Sequence, residues 1–191
     1  MSARVGIVLF PGTNCELDVA WAVERLGGTP EMLWHADEEL RGADAIVVPG
    51  GFAHGDYLRT GAIARFSPVM GAVARFAAAG GPVVGICNGF QVLTEAGLLP
   101  GALQKNAGLK FLCETVECRI ETSRSSLTAL ATPGNVLRLP INHFEGNYVC
   151  DEATFRRLHD DDRIVLRYVR NPNGSLDDVA GICSEGRNVV G

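Results

Sequence analysis

Four short apolar runs set the rhythm of the first half of the chain: Val5 to Phe10, Glu31 to His35, Ala45 to Val48, and Pro82 to Ile86. Runs of this length, rich in β-branched residues and bounded by glycine or proline, read as buried strands. Between the first two, Asn14 is the expected N-cap of a helix with Glu16 and Asp18 in its first turn. Val19, Val23 and Leu26 then recur at helical spacing until Gly27-Gly28 stops it. A second helical stretch runs from about Ala62 to Ala79, and Pro68 inside it predicts either a kink or two helices in series. Strands alternating with helices predict a parallel sheet. After Gly97 the pattern shifts toward strands, at Leu109 to Glu121, Val136 to Ile141, Arg163 to Val169, Val179 to Cys183 and Asn188 to Val190. Glu152 to His159 is the one short helix there, and Asn171-Pro172-Asn173-Gly174-Ser175 is a dense turn signal. The expected architecture is an α/β, doubly wound, mostly parallel sheet with helices on both faces. A β-rich, antiparallel C-terminal extension packs on it, all in one domain over residues 1–191.

The chain is organised around Gly85-Ile86-Cys87-Asn88-Gly89-Phe90-Gln91, where the fourth apolar run meets a helix expected from Phe90 to Ala96. Glycines two positions to either side of Cys87 permit a sharp strand-to-helix reversal that carries the cysteine in a strained conformation, the geometry of a nucleophile elbow. A helix beginning directly after the cysteine supplies N–H groups and a positive dipole end that favour the thiolate. A small buried cysteine filling space is the plain alternative. A second glycine-bearing loop, Pro49-Gly50-Gly51-Phe52, leaves the third strand. Ligands of doubly wound sheets bind at such strand ends, so the two loops are expected to meet over one site.

Composition narrows the partners. A net charge of -5 and the absence of any Lys/Arg stripe argue against nucleic acid or an anionic membrane. The first apolar run is too short for a signal or membrane segment, so a cytoplasmic location is expected. Six cysteines form no CxxC pair, so neither a metal site nor a disulfide framework is expected.

With these blocks assembled, the sequence resembles the class I glutamine amidotransferases, and among them the small glutaminase subunits of phosphoribosylformylglycinamidine synthase. The resemblance runs through Phe10-Pro11-Gly12-Thr13-Asn14-Cys15, Pro49-Gly50-Gly51-Phe52 with Gly55-Asp56-Tyr57-Leu58-Arg59, the Cys87 elbow, Leu98-Leu99-Pro100-Gly101, Glu145-Gly146-Asn147-Tyr148 and Asn171 to Ser175. It implies a flavodoxin-like fold and hydrolysis of the glutamine side-chain amide through a γ-glutamyl thioester on Cys87. It further implies backbone N–H groups of Gly51 and Asn88 as oxyanion donors, and Gln91, Asn142 and His143 as glutamine-binding residues. Ammonia would pass to a large synthase subunit, with a further small subunit as a possible third member. ATP and magnesium are expected in that partner, since this chain has no P-loop and no cofactor is expected in it.

One part of the family pattern is missing. The family carries its catalytic histidine and glutamate in a His-Pro-Glu-Arg motif after a strand resembling Arg187-Asn188-Val189-Val190-Gly191, and the sequence stops at Gly191. The expectation is that the native chain continues, and that residues 1–191 alone are inactive or severely impaired. Of the histidines present, His159 lies in an acidic run and His35 follows a strand, both structural positions. His54 stands where the family usually has tyrosine, and His143 falls in a family loop with a substrate-side or positioning role. Two other functions remain open: a docking or regulatory subunit without catalysis, and another elbow-cysteine hydrolase. The second is disfavoured because Asn88, not histidine, follows Cys87.

Overall fold

The computed structural model describes residues 2–191, and backbone contacts divide them into two compact units, one running to Leu98 and including Gly191, the other Leu99–Val190. The first unit holds β1 (Arg4–Leu9), α1 (Glu16–Arg25), β2 (Thr29–Trp34), β3 (Ala45–Val48), α2 (Pro68–Ala78), β4 (Val83–Gly85) and α3 (Asn88–Glu95). Its strands are parallel and run in the order β2-β1-β3-β4, with Val5 opposite both Pro30 and Ala45 and Val48 opposite Gly85. The chain therefore steps one way from β1 to β2 and the other way from β1 to β3. The carboxyl ends of β1 and β3 flank the switch point, where such sheets open a crevice. Ile7, Val8, Leu33, Ile46, Val48 and Val83 are wholly buried on these strands.

Local sequence accounts for most of these boundaries. Pro30 lies inside β2, which starts earlier than the apolar run suggests. Proline is accommodated because β2 borders only β1 and has an open edge. Pro68 does not kink a long helix. It occupies the first position of α2, where no N–H is needed, and a separate one-turn 3-10 helix at Ala64–Phe66 precedes it. Asn14 is not the N-cap of α1. Cys15 holds that position without a side-chain bond, and the N–H groups of Asn14 and Cys15 both donate to the Gly50 carbonyl, at 3.1 Å each. That pairing draws Asn14 away from the helix. Glu16 and Asp18 remain to complement the dipole.

The second unit holds β5 (Ala102–Lys105), β6 (Leu112–Ile120), β7 (Val136–His143), β8 (Glu145–Val149), α4 (Glu152–Asp160), β9 (Ile164–Tyr168), β10 (Val179–Ile182) and β11 (Val189–Val190). An antiparallel sheet runs β10-β9-β6-β7, and β5 pairs antiparallel with β8. Along β6, alternation buries Val116, Cys118 and Ile120, and Val116 and Cys118 pack with Tyr168, Leu139, Ile141 and Ala180. Burial raises the Cys118 thiol to about 11, so this cysteine behaves as a small apolar residue. Asp151 caps α4 by accepting a bond from the Thr154 N–H at 2.7 Å.

Three motifs singled out in the sequence converge in this unit. Tyr148, fully buried, donates its hydroxyl to the Pro100 carbonyl at 3.0 Å, and its N–H donates to Ser175 Oγ at 3.0 Å. Asn173 Nδ2 donates to the Gly146 carbonyl at 2.8 Å. Gly101 has φ 84°, and a Cβ there would lie 2.5 Å from the Tyr148 hydroxyl. Gly101→Ala is expected to cost about 1–3 kcal/mol, because it combines a left-handed backbone with a clash against an immobile ring. Urea denaturation checks this, and a wild-type midpoint would show that Tyr148 can yield.

Candidate active site

The elbow follows from two glycines and one strained residue. Gly85 and Gly89 are needed for space, not for unusual dihedrals. A Cβ on Gly89 would stand 1.8 Å from the Val48 carbonyl oxygen, and one on Gly85 would stand 2.7 Å from the Gly89 carbonyl. Without side chains at both, α3 can begin directly over the ends of β3 and β4. Cys87 between them adopts φ 54°, ψ −110° and caps α3 from an exposed position. This backbone is costly for a residue with a Cβ, and such outliers cluster at functional sites.

The first turn of α3 commits most of its N–H groups. Gly89 donates to Ile86, and Phe90 and Gln91 donate to the Cys87 carbonyl. The Asn88 N–H is bonded to the Cys87 thiol and lowers its pKa, as a helix start should. Although the residue as a whole is exposed, the protein atoms packed around the thiol desolvate it, and this outweighs the helix start, with Cys15 and Asp56 adding in the same direction, so the Cys87 thiol lies above its ordinary value. The helix start favours the thiolate as expected, but its effect is smaller than that of desolvation. Alkylation of Cys87 by iodoacetamide in residues 1–191 is therefore expected to accelerate with pH to a midpoint above that of an ordinary cysteine thiol. Mass spectrometry of the labelled peptide reads it, and a midpoint near 7 would show a cation at the thiol.

The loop after β3 lies against this elbow. A Cβ on Gly50 would approach Cys87 Cβ to 3.5 Å and Cys15 Sγ to 3.4 Å. Gly51, at φ 152°, is bridged to Thr13 by two bonds, Phe52 N–H to the Gly12 carbonyl at 2.8 Å and Asn14 N–H to the Gly50 carbonyl. Neither uses the Gly51 N–H. Tight approach makes glycine necessary, since a Cβ on Gly51 would lie 2.6 Å from the Asn14 nitrogen. The Phe10 to Cys15 motif thus buttresses the Gly50-Gly51 loop.

Asn88 and Gln91 are both buried. The Asn88 side chain accepts from the Ala53 N–H at 2.9 Å and donates to Gln91 Oε1 at 2.8 Å and Asp56 Oδ1 at 3.1 Å. This network was not legible in the sequence. Cys87, Asn88, Gly51 and Gln91 all belong to the first unit, as do His35 and His54. His54 Nε2 and His35 Nδ1 share Ser67 Oγ, at 3.3 and 3.4 Å, and the His54 pKa is lowered by burial and by His35.

Asn142 and His143 belong to the second unit, at the end of β7. Buried Asn106 organises that turn and was also missed. Its Nδ2 donates to the Lys110 and His143 carbonyls, and its Oδ1 accepts from the Gly146 N–H, so the amide has one orientation. His143 Nδ1, 3.1 Å from Oδ1, must be a donor, which leaves Nε2 as the lone-pair nitrogen of the neutral ring. Burial lowers the His143 pKa and favours that neutral form. His159 pairs with Asp160 at an exposed position. Among the described residues, no group of three or more His, Cys, Asp or Glu side chains could hold a metal ion, and no helix is long and apolar enough to cross a membrane.

The sequence profile of the CobB/CobQ-like glutamine amidotransferase domain matches residues 2–190. The chain belongs to this amidotransferase family. It is similar to the phosphoribosylformylglycinamidine synthase subunit PurQ of Rubrobacter xylanophilus, 60% identical over 188 residues, which cover 98% of this chain and 86% of the relative. The corresponding subunit of Koribacter versatilis is 55% identical over 198 aligned positions, again with 98% and 86% coverage. Among solved structures, a chain of PurLQS from Thermotoga maritima superposes with a TM-score of 0.92 and 38% identity, covering all of this amidotransferase and 86% of that chain. The parallel α/β architecture expected from the sequence is the architecture of the family.

Proposed function

We propose that this chain is the glutaminase subunit of phosphoribosylformylglycinamidine synthase, which hydrolyses glutamine and delivers ammonia to a synthase subunit in purine biosynthesis. The observation that carries the chemistry is Cys87 at φ 54°, exposed at the carboxyl end of β4 with the Asn88 N–H on its sulfur. Sulfur attacks the side-chain carbonyl of glutamine, and negative charge grows on the carbonyl oxygen. The N–H groups of Asn88 and Gly51 are the donors we assign to that oxygen, being backbone groups at two adjoining strand ends. Collapse of the intermediate expels ammonia and leaves the thioester, which water cleaves to glutamate.

Both steps move protons, and His35 and His54 are engaged with Ser67 while His159 pairs with Asp160. We assign none of these three as base. The family's His-Pro-Glu-Arg histidine is the fitting group, and residues 1–191 contain no such motif. Gln91, in the first turn of α3, is assigned to glutamine binding. ATP and magnesium are assigned to the synthase, and the cytoplasm to the complex; that all six cysteines are free agrees with a reducing compartment. The test is labelling of the native protein, with its synthase subunit, by a diazoketone analogue of glutamine. The label is expected on Cys87 and to be blocked by glutamine. Labelling elsewhere, or none, overturns the reading.

A further inference from the structure

Three consecutive residues of the loop after β3 lie in the left-handed region, His54 at φ 53°, Gly55 at 72° and Asp56 at 51°. Two of the three carry a Cβ, so the surrounding structure must hold them there. It does so with named bonds. The His54 N–H donates to the Pro11 carbonyl at 2.7 Å and the Gly55 N–H to the Phe52 carbonyl at 2.7 Å. The Gly61 N–H bonds the Asp56 carboxylate. The remaining ties run to the residue after the nucleophile: Ala53 N–H to Asn88 Oδ1, and Asn88 Nδ2 to Asp56 Oδ1.

The direction of these bonds is fixed by their chemistry. The Ala53 N–H can only donate, so Asn88 must turn its oxygen there and its nitrogen toward Asp56 and Gln91. A carboxylate only accepts, so Asp56 enforces the same orientation from the other end. We propose that Asp56 is a positioning residue of the amidotransferase site. Acting through the Asn88 side chain, it holds the first residue of α3, and hence the Asn88 N–H, in place beside Cys87. The inference rests on the glutaminase reading for its kinetic arm, while its thiol arm does not.

Loss of the acceptor in Asp56→Ala is expected to lower kcat for glutamine-dependent synthesis by the full complex about ten- to a hundredfold. KM for glutamine should change less than threefold, because the interaction lost is strongest in the transition state. Asparagine at this position can still accept from Asn88 through Oδ1, so Asp56→Asn should recover most of the loss. In the Asn88→Ala background, Asp56→Ala should add less than twofold, since its route of action is already cut. The second readout is the pH profile of Cys87 alkylation by iodoacetamide. Asp56→Asn removes a negative charge that raises the thiol pKa, so its profile should move to lower pH than wild type. Asp56→Ala removes the charge but also frees the Asn88 N–H, and its profile should lie at higher pH than that of Asp56→Asn.

A kcat within threefold of wild type in Asp56→Ala would overturn the proposal. So would equal losses in both variants, additivity with Asn88→Ala, or coincident alkylation profiles for the two variants. If Asp56→Ala does not fold, Asp56→Leu, which is close to aspartate in shape and has no acceptor, takes its place under the same criteria. Failure of the function reading looks different: glutamine-dependent synthesis would persist in Cys87→Ala, while the alkylation profiles still report on Asp56.

Discussion

Cys87→Ala is expected to lower glutamine-dependent synthesis by the complex at least about 10⁴-fold while leaving synthesis from added ammonium salt within about twofold. The size of the effect follows from what is removed. Without sulfur there is no thioester, and two N–H donors can at most assist direct attack by water on an amide. Such residual catalysis is what remains when an acyl-transfer nucleophile is deleted. The ammonium control separates loss of chemistry from loss of assembly, because a variant that cannot dock would alter both activities. Retention of glutamine-dependent synthesis above about a hundredth of wild type would remove Cys87 from the mechanism. The assay is product formation at saturating glutamine against saturating ammonium.

Gly89→Ala is expected to be the most damaging single methyl in the first unit. The added carbon would sit 1.8 Å from the Val48 carbonyl oxygen and 2.6 Å from its carbon. Both are backbone atoms of a buried strand, so no rotamer change relieves the contact, and α3 must lift off β3. We expect a loss of about 3 kcal/mol or more, which for a chain of this size lowers Tm by roughly 6–12 °C. Activity should fall with it, since Cys87 and Asn88 move with the helix. Calorimetry of the variant reads the first effect. A Tm within 2 °C of wild type would mean that the strand and helix separate more easily than their packing implies. By contrast, a Cβ on Gly97 or Gly80 meets nothing within 4 Å, although both residues have positive φ. Alanine there tests backbone strain without the clash.

Much of the site was legible because it is made of local sequence. Ala45–Val48 is a strand with the bounds that its apolar run suggests, and Cys87 is strained where two flanking glycines point to it. The glycines proved necessary for close approach of backbone to backbone, a requirement that a single chain reading can anticipate but not measure. What escaped were side chains paired across long separations. Asn88 reaches back 35 residues to Ala53 and 32 to Asp56, and Asn106 reaches forward 37 to His143. No periodicity records such a pairing. Asn14 misled for a related reason: its backbone serves a loop far along the chain instead of its own helix. Strands β5 and β8 were missed because they are short and carry Gln104, Lys105, Gly146 and Asn147 where a buried strand would show apolar residues.

The two bonds accepted by the Gly50 carbonyl have a kinetic meaning. The Gly50 carbonyl and the Gly51 N–H are opposite ends of one planar peptide unit, so fixing the first aims the second. Turning this unit over would break both bonds to Asn14 and Cys15, at a cost of about 1–3 kcal/mol, and would leave two N–H groups at the start of α1 unserved. The Gly51 dipole is thus set before any ligand arrives. A partner that turned this peptide over would have to supply that cost from its own contacts. Isolated residues 1–191 and the assembled enzyme should accordingly show the same amide-exchange rate at Gly51, once differences in solvent access are accounted for.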